Sequence, residues 1–307
     1  MTVLPSQQPP RIEPGLVSRA FEVAGRLAND AVDVIIATAG RGARPAATES
    51  PFDWVTDTGR TLERHTRRVL ADEFPGTPVF GEEFDSASTM VAEHWAARSG
   101  AARYRWSVDP VDGTANYVAG LPWCSYSLAM LDEFGPVVGV VADPYRAQIY
   151  AAARGRGMRA NGTPVRLSGP SDARAGIVCT ELTRNGPWPG MDRFISNAAA
   201  AQTGVRLLGS PGLAITQVAL GHAIAAVLDS YQEWDVAGAL ALAVEAGAVV
   251  LDRRGDDASL PPDGLLVAAP GVASQVFDWW CQATGTSERG GGVAGPKTAD
   301  IGRSSGN

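Results

Sequence analysis

The residues with the clearest chemical potential are acids gathered at three points of the chain. Asp109 and Asp112 flank Pro110-Val111 and are followed by Gly113-Thr114. Glu82 and Glu83 follow Gly81, and Asp235 follows Trp234. Proline limits the backbone at 110 and glycine tolerates a tight approach at 113, so the turn can aim both aspartates at one point. Crowded anions need counter-charge, and a divalent cation supplies it. Mg²⁺ takes oxygen ligands and keeps several waters, which suits a carboxylate cluster. Two such ions would activate water, neutralise a phosphate and steady a leaving oxygen. The backbone N–H groups of Gly113 and Thr114 suit phosphate oxygens, and the Thr114 hydroxyl suits a water. The chemistry would be in-line attack of water on phosphorus with no protein nucleophile. From the residues alone a plainer reading also stands: Asp-Pro makes surface Asx turns, and Trp-Asp caps helices over a core aromatic.

Periodicity supplies the elements that would hold these acids. Apolar residues recur at three and four from Leu16 to Ala39, the stripe of a long helix. A second helix is expected over 59–72, stopping before Pro75-Gly76, and a short strand at 78–80 delivers Glu82 and Glu83. A weaker helix is expected at 88–98 and a strand at 104–108, ending at Asp109-Pro110. Extended runs near 124–131, 137–142 and 148–152, separated by Gly and Pro turns, predict an antiparallel sheet. Beyond them strands near 176–180, 205–208, 223–228, 247–251 and 264–268 alternate with helices near 190–201, 211–221, 235–246 and 271–281. That rhythm predicts a layered α/β lobe.

The expected organisation is a disordered tail (1–14), an N-terminal α+β lobe with most metal ligands (15–153), and an Arg/Gly/Pro-rich linker (154–175). A C-terminal α/β lobe (176–282) then completes the site, before a second disordered tail (283–307). A chain of 307 residues with 45% hydrophobic content can bury large cores. Its net charge of −7 argues against a nucleic-acid-coating surface. Three unclustered cysteines and the lack of a secretory-type leader fit a reducing, cytoplasmic setting. No apolar run approaches the ~18 residues of a membrane span.

Asp109-Pro-Val-Asp112-Gly113-Thr114-Ala-Asn116-Tyr117 resembles the signature of the inositol monophosphatase family, the Mg²⁺-dependent, lithium-sensitive sugar phosphatases. Gly81-Glu82-Glu83 and Trp234-Asp235-Val-Ala-Gly resemble its two other motifs, in the same order. Cys179-Thr180-Glu181-Leu182 and Arg206 through Gly209-Ser210 extend the likeness, which covers residues 16–280. The resemblance implies a layered αβαβα sandwich of two lobes, usually a homodimer, that hydrolyses a small polyol or sugar phosphate with metal-activated water. It implies metal ligation by Glu82, Asp109, the Val111 carbonyl, Asp112 and Asp235, with Asp109 bridging two ions. Glu82 and Thr114 would position the water. Substrate contacts are expected from Asp112, Gly113, Thr114, Glu181, Ser210 and Asp235. Two or three Mg²⁺ ions are implied, with no nucleic-acid or membrane partner.

Three departures qualify the resemblance. The family carries Val-Thr-x-x-Asp where this chain has Val55-Thr56-Asp57-Thr58-Gly59, so the carboxylate that supports a third ion is missing unless Asp57 or a neighbour replaces it. Inositol-preferring members carry a glutamate seven residues before the downstream aspartate, and here that position is Leu228, with Asp229 or Glu233 as substitutes. Pro211 follows Gly209-Ser210, where small residues are usual. These departures keep a histidinol-phosphate or nucleotide 3′-phosphate phosphatase open. A non-catalytic metal- or phosphometabolite-binding protein is the alternative of another class.

Overall fold

The computed structural model describes residues 12–40, 46–47, 54–85 and 102–285. The helix expected at 88–98 and most of both expected tails lie outside the described residues. The N-terminal stripe forms α1 (Pro14–Thr38), with proline in its first turn and Ala20, Ala24, Leu27, Ala31 and Ile35 buried. A small antiparallel pair, β1 (Ala46–Ala47) and β2 (Trp54–Val55), precedes α2 (Asp57–Glu73). This helix starts two residues before the expected position because Thr56 caps it, accepting from Gly59 N at 3.0 Å.

Seven strands build the first sheet: β3 (Val79–Gly81), β4 (Arg105–Asp112), β5 (Ser125–Asp132), β6 (Gly135–Asp143), β7 (Gln148–Ala153), β8 (Gly157–Ala160) and β9 (Thr163–Val165). They lie side by side in sequence order, β3 and β4 parallel and the rest antiparallel. Part of the stretch 154–175, expected as linker, instead continues this sheet. Gly155 and Gly162 take positive φ in the tight turns that join β7, β8 and β9, so glycine there builds hairpins. Short helices α3 (Glu82–Asp85) and α4 (Thr114–Ala119) leave the ends of β3 and β4.

The second sheet runs in the order β11 (Gly204–Arg206), β10 (Ile177–Thr180), β12 (Ala225–Leu228), β14 (Leu265–Ala268), β13 (Val249–Leu251). Its first three strands are parallel, and β14 is antiparallel to both neighbours. Helices α5 (Met191–Ala200), α6 (Pro211–Ala219), α7 (Glu233–Ala246) and α8 (Ala273–Thr284) are the remaining helices of the described residues.

Three cores show how the layers stack. Alternate residues Trp106, Val108, Tyr126, Leu128, Val138 and Val140 of the first sheet pack against α1 and α2. The opposite face contributes Val141, Tyr150 and Ala152 to a central core with α6, α7 and the near face of the second sheet. The far face of that sheet, through Val178, Val227 and Leu266, packs on Phe194 of α5 and on Val276 and Trp280 of α8. The result is the expected αβαβα sandwich, a mixed α/β fold. Since α6 and α7 form the middle layer, their N-termini meet the end of β4 between the two sheets, and the acids converge there.

Candidate active site

A β-bulge does what the Asp-Pro-Val-Asp spacing could not do in a regular strand. Side chains alternate along a strand, so residues three apart face opposite sides. Here Asp109 pairs with Ser127 and Asp112 with Ser125, three residues against two, so one extra residue is inserted at Pro110-Val111. The strand expected to end at Asp109 thus runs on to Asp112, with both aspartates buried and lining one cleft. Proline is tolerated because β3 ends opposite Val108, leaving no ladder bond for residue 110 to make on that side. Asp109 Oδ1 accepts from Val111 N at 3.0 Å, and the Val111 carbonyl accepts from Thr114 Oγ1 at 2.8 Å. Gly113 then takes φ +85°, where a Cβ would lie 2.8 Å from Gly209 O.

The other two acids are held by polar networks that sequence reasoning missed. Glu63 of α2 is fully buried, and its Oε2 accepts from Glu83 N at 2.8 Å. Arg67 donates to Glu63 Oε1 and to the Val79 carbonyl, both at 2.8 Å, and also to Asp85. Asp85 in turn accepts from Gly81 N at 3.0 Å, so α2 clamps the turn that presents Glu82. In sequence, Glu63 and Arg67 read as an ordinary i, i+4 surface pair. Asp235 is placed by Arg105 of β4, which grips Glu233 at the start of α7 with bonds of 3.0 and 2.6 Å inside the protein. Asp235 Oδ2 accepts from Gln232 N at 2.7 Å, completing a capping box, and Trp234 is buried beneath it. The plain capping reading of Trp-Asp is therefore correct, and it coexists with a place for Asp235 in the cleft.

Glu82, Asp109, Asp112 and Asp235 line one cleft of about 370 Å³ together with Gly113, Thr114, Asn116, Glu181, Arg184 and Leu207. Burial is the main reason that Glu82, Asp109, Asp112 and Glu181 hold their protons unusually tightly. Glu82 stands well above the ordinary range, first from burial and then from the charges of Asp235 and Glu83. Asp109 is raised well above it by burial and by Glu82, and these two carboxyls share a hydrogen bond. Burial lifts Asp112 to about 7, although Ser210, Ser125 and Gly212 N donate to its Oδ2 and hold it down. Glu181 is likewise lifted by burial to about 7 while accepting from Gly209 N at 2.7 Å and Leu208 N at 3.3 Å.

The donor set is entirely oxygen, and Glu82 Oε2 is enclosed with no hydrogen-bond partner, which fits a hard divalent cation. As placed, the carboxyl oxygens turn to one another and to internal donors. Among the described residues, no three acidic, His or Cys side chains form a finished ligand cage.

Several expected residues sit differently from their assignment. Ser210 does not line the cleft: it is fully buried, caps α6 by accepting from Leu213 N at 3.3 Å, and donates to Asp112. Pro211 is the first residue of that helix and does reach the cleft wall. Leu228 is buried in β12 opposite Leu265 and does not line the cleft. Neither proposed substitute serves the cleft, since Asp229 is paired with Arg253 at 2.6 Å and Glu233 with Arg105. Asp57 is exposed on α2, so it does not replace a carboxylate at 59. Asn116 ties the two lobes together, its Nδ2 donating to Trp123 O at 2.9 Å and Leu208 O at 2.7 Å. The Tyr117 hydroxyl is buried 2.8 Å from both Thr38 Oγ1 and Thr58 Oγ1.

Four carboxylates, Asp109 and Asp112 buried and Glu82 and Asp235 half-buried, converge on a cleft that Gly113 and Thr114 also line. Residues 17–285 match the model of the inositol monophosphatase family, and the chain belongs to that family of phosphoric monoester hydrolases. An inositol-1-monophosphatase, ImpA, of Mycolicibacterium smegmatis is 30% identical over 286 residues, covering 91% of this chain and 96% of the relative. The fold is shared with an inositol monophosphatase of Thermotoga maritima, with a TM-score of 0.75, 23% identity and coverage of 87% and 97% of the two chains. An IMPase/NADP phosphatase complexed with Mg²⁺ and phosphate has a TM-score of 0.73 and 22% identity, covering 86% of this chain and 95% of its own. No helix among the described residues is long and apolar enough to cross a membrane.

Proposed function

We propose that the chain is a Mg²⁺-dependent phosphomonoesterase acting on a small phosphorylated metabolite. The observation that carries this reading is the bulge-driven convergence of Asp109 and Asp112 with Glu82 and Asp235 on one cleft. A solved relative of this fold is described as complexed with Mg²⁺ and phosphate, and the all-carboxylate donor set fits the same cation here. The residues that would hold it are Glu82, Asp109, Asp112, Asp235 and the Val111 carbonyl. When bound, the cation supplies positive charge that relieves the acids' repulsion, offsets the phosphate dianion and makes water a better nucleophile.

The rest of the work falls to the chain itself. Gly113 and Thr114 present backbone N–H groups to the phosphate at the N-terminus of α4. Thr114 Oγ1 donates its hydrogen bond to the Val111 carbonyl, which leaves its lone pairs to accept from a water. Glu82 Oε2, with no partner in the protein, takes the proton that this water loses as its oxygen bonds to phosphorus. The P–O bond to the leaving group breaks in line, a water molecule protonates the departing oxygen and Glu82 returns its proton to solvent, so the products are an alcohol and inorganic phosphate. Glu181 of the second lobe and Asn116 of the first hold the Leu208-Gly209 backbone against the cleft. Three cysteines, Cys124, Cys179 and Cys281, each buried, support a reducing cytoplasmic setting, and a homodimer completes the proposal.

A panel of phosphometabolites with and without Mg²⁺ tests the reading. Phosphate release that needs Mg²⁺ and collapses in Asp109→Asn and Asp112→Asn is expected, and metal-independent turnover would contradict it. With Leu228 buried and Asp229 and Glu233 engaged, the panel must include nucleotide 3′-phosphates and histidinol phosphate beside inositol phosphates.

A further inference from the structure

Gly59 lies in the first turn of α2, and its missing side chain is put to use. A Cβ at this position would lie 2.8 Å from Glu83 Cδ, overlap Glu83 Oε1 and come within 3.2 Å of Thr56 Oγ1. The Glu83 carboxyl therefore rests on the bare backbone of residue 59, at the positive end of a 17-residue helix, where an anion is favoured. Both ends of this acid are fixed by α2: its backbone N–H donates to Glu63 Oε2 at 2.8 Å, and its carboxyl fills the space over Gly59. Glu83 is 9% exposed and does not line the cleft, whereas its neighbour Glu82 does. Fixing Glu83 at both ends therefore also fixes the turn that presents Glu82 to the cleft.

We infer that Glu83 is a positioning carboxylate of the cation site, delivered from α3 into the space that Gly59 leaves open. Residue 59 is glycine because the carboxyl of residue 83 needs its place. Glu83 anchors the turn that carries Glu82 and adds a negative charge behind it, as outer groups around metal ligands do. The inference rests on the cation-dependent reading above.

The test is a double-mutant cycle on the full chain, read by Mg²⁺ titration calorimetry, by melting in EDTA and by kcat against Mg²⁺ concentration. Glu83→Gln keeps the shape and removes the charge, while Gly59→Ala displaces the carboxyl. Each is expected to weaken Mg²⁺ binding about tenfold, the low end of such effects, with kcat recovering at saturating Mg²⁺. The double variant should be no weaker than the worse single, because both act through one group. The swap Gly59→Asp with Glu83→Ala should regain most of the affinity. Unchanged Mg²⁺ affinity in Glu83→Gln, or losses that multiply in the double variant, would overturn the inference, as would a lower melting temperature with affinity intact. A wild type that binds no Mg²⁺ would instead remove the cation-dependent reading itself, and the inference with it.

Discussion

Glu181 offers a sharp test of the electrostatics, because its proton affinity is raised while its partners are backbone donors. Burial lifts it from the ordinary 4.5 to about 7, against the pull of Gly209 N and Leu208 N. The folded protein therefore holds this proton in a window where the unfolded chain has released it. The stability it contributes is fully present below pH 4.5 and is lost as pH rises towards 7. At 1.36 kcal/mol per unit, the loss approaches about 3 kcal/mol across that window. Glu181→Gln is neutral throughout and keeps one carbonyl oxygen to accept from Gly209 N. Urea denaturation in EDTA at pH 5 and 7.5 should show the wild type losing about 2 kcal/mol more than the variant on going to the higher pH, part of the effect being already gone at pH 5. The neighbouring acids shift in the same direction, so only the difference between the two proteins isolates Glu181. Parallel pH profiles would refute the reasoning.

Other consequences follow from single contacts. Gly113→Ala places a methyl 2.8 Å from Gly209 O at φ +85°, and should cost about 1–3 kcal/mol of stability in denaturation together with most phosphate release. Arg105→Met leaves Glu233 buried without its partner and should cost about 3–5 kcal/mol in denaturation, whereas Arg105→Met with Glu233→Leu should be far milder. Asp109→Asn removes one of the mutually repelling acids, so melting in EDTA at pH 8 should occur at a higher temperature than in the wild type even as activity is lost.

The outline of the fold was legible where one physical signal dominated. The three-and-four spacing of α1 and the strand-helix rhythm after Ile177 both express simple burial patterns, and both are present. The hairpins at 157–165 were hidden because arginine, glycine and proline read as linker. The glycines there make turns, while β8 is an interior strand with only Met158 buried. The acids could be named from their motifs, but not the bulge that turns Asp109 and Asp112 to one side, since it depends on the register with β5. Long-range supports were less accessible still. Nothing local distinguishes Glu63 from a surface acid or links Arg105 to Glu233, 128 residues away. Leu228 shows the converse: counting back from Asp235 aligns it with a glutamate of inositol-preferring members, and the strand pairing buries it in the core.

The convergence of acids on a cation is tested most directly by anomalous diffraction from crystals soaked in Mn²⁺, which takes the same oxygen ligands as Mg²⁺. An anomalous peak within bonding distance of Asp109 and Asp112, with Glu82 and Asp235 turned towards it, is the predicted result. A cleft without any peak, its four carboxylates still engaged with one another and with internal donors, would contradict the account.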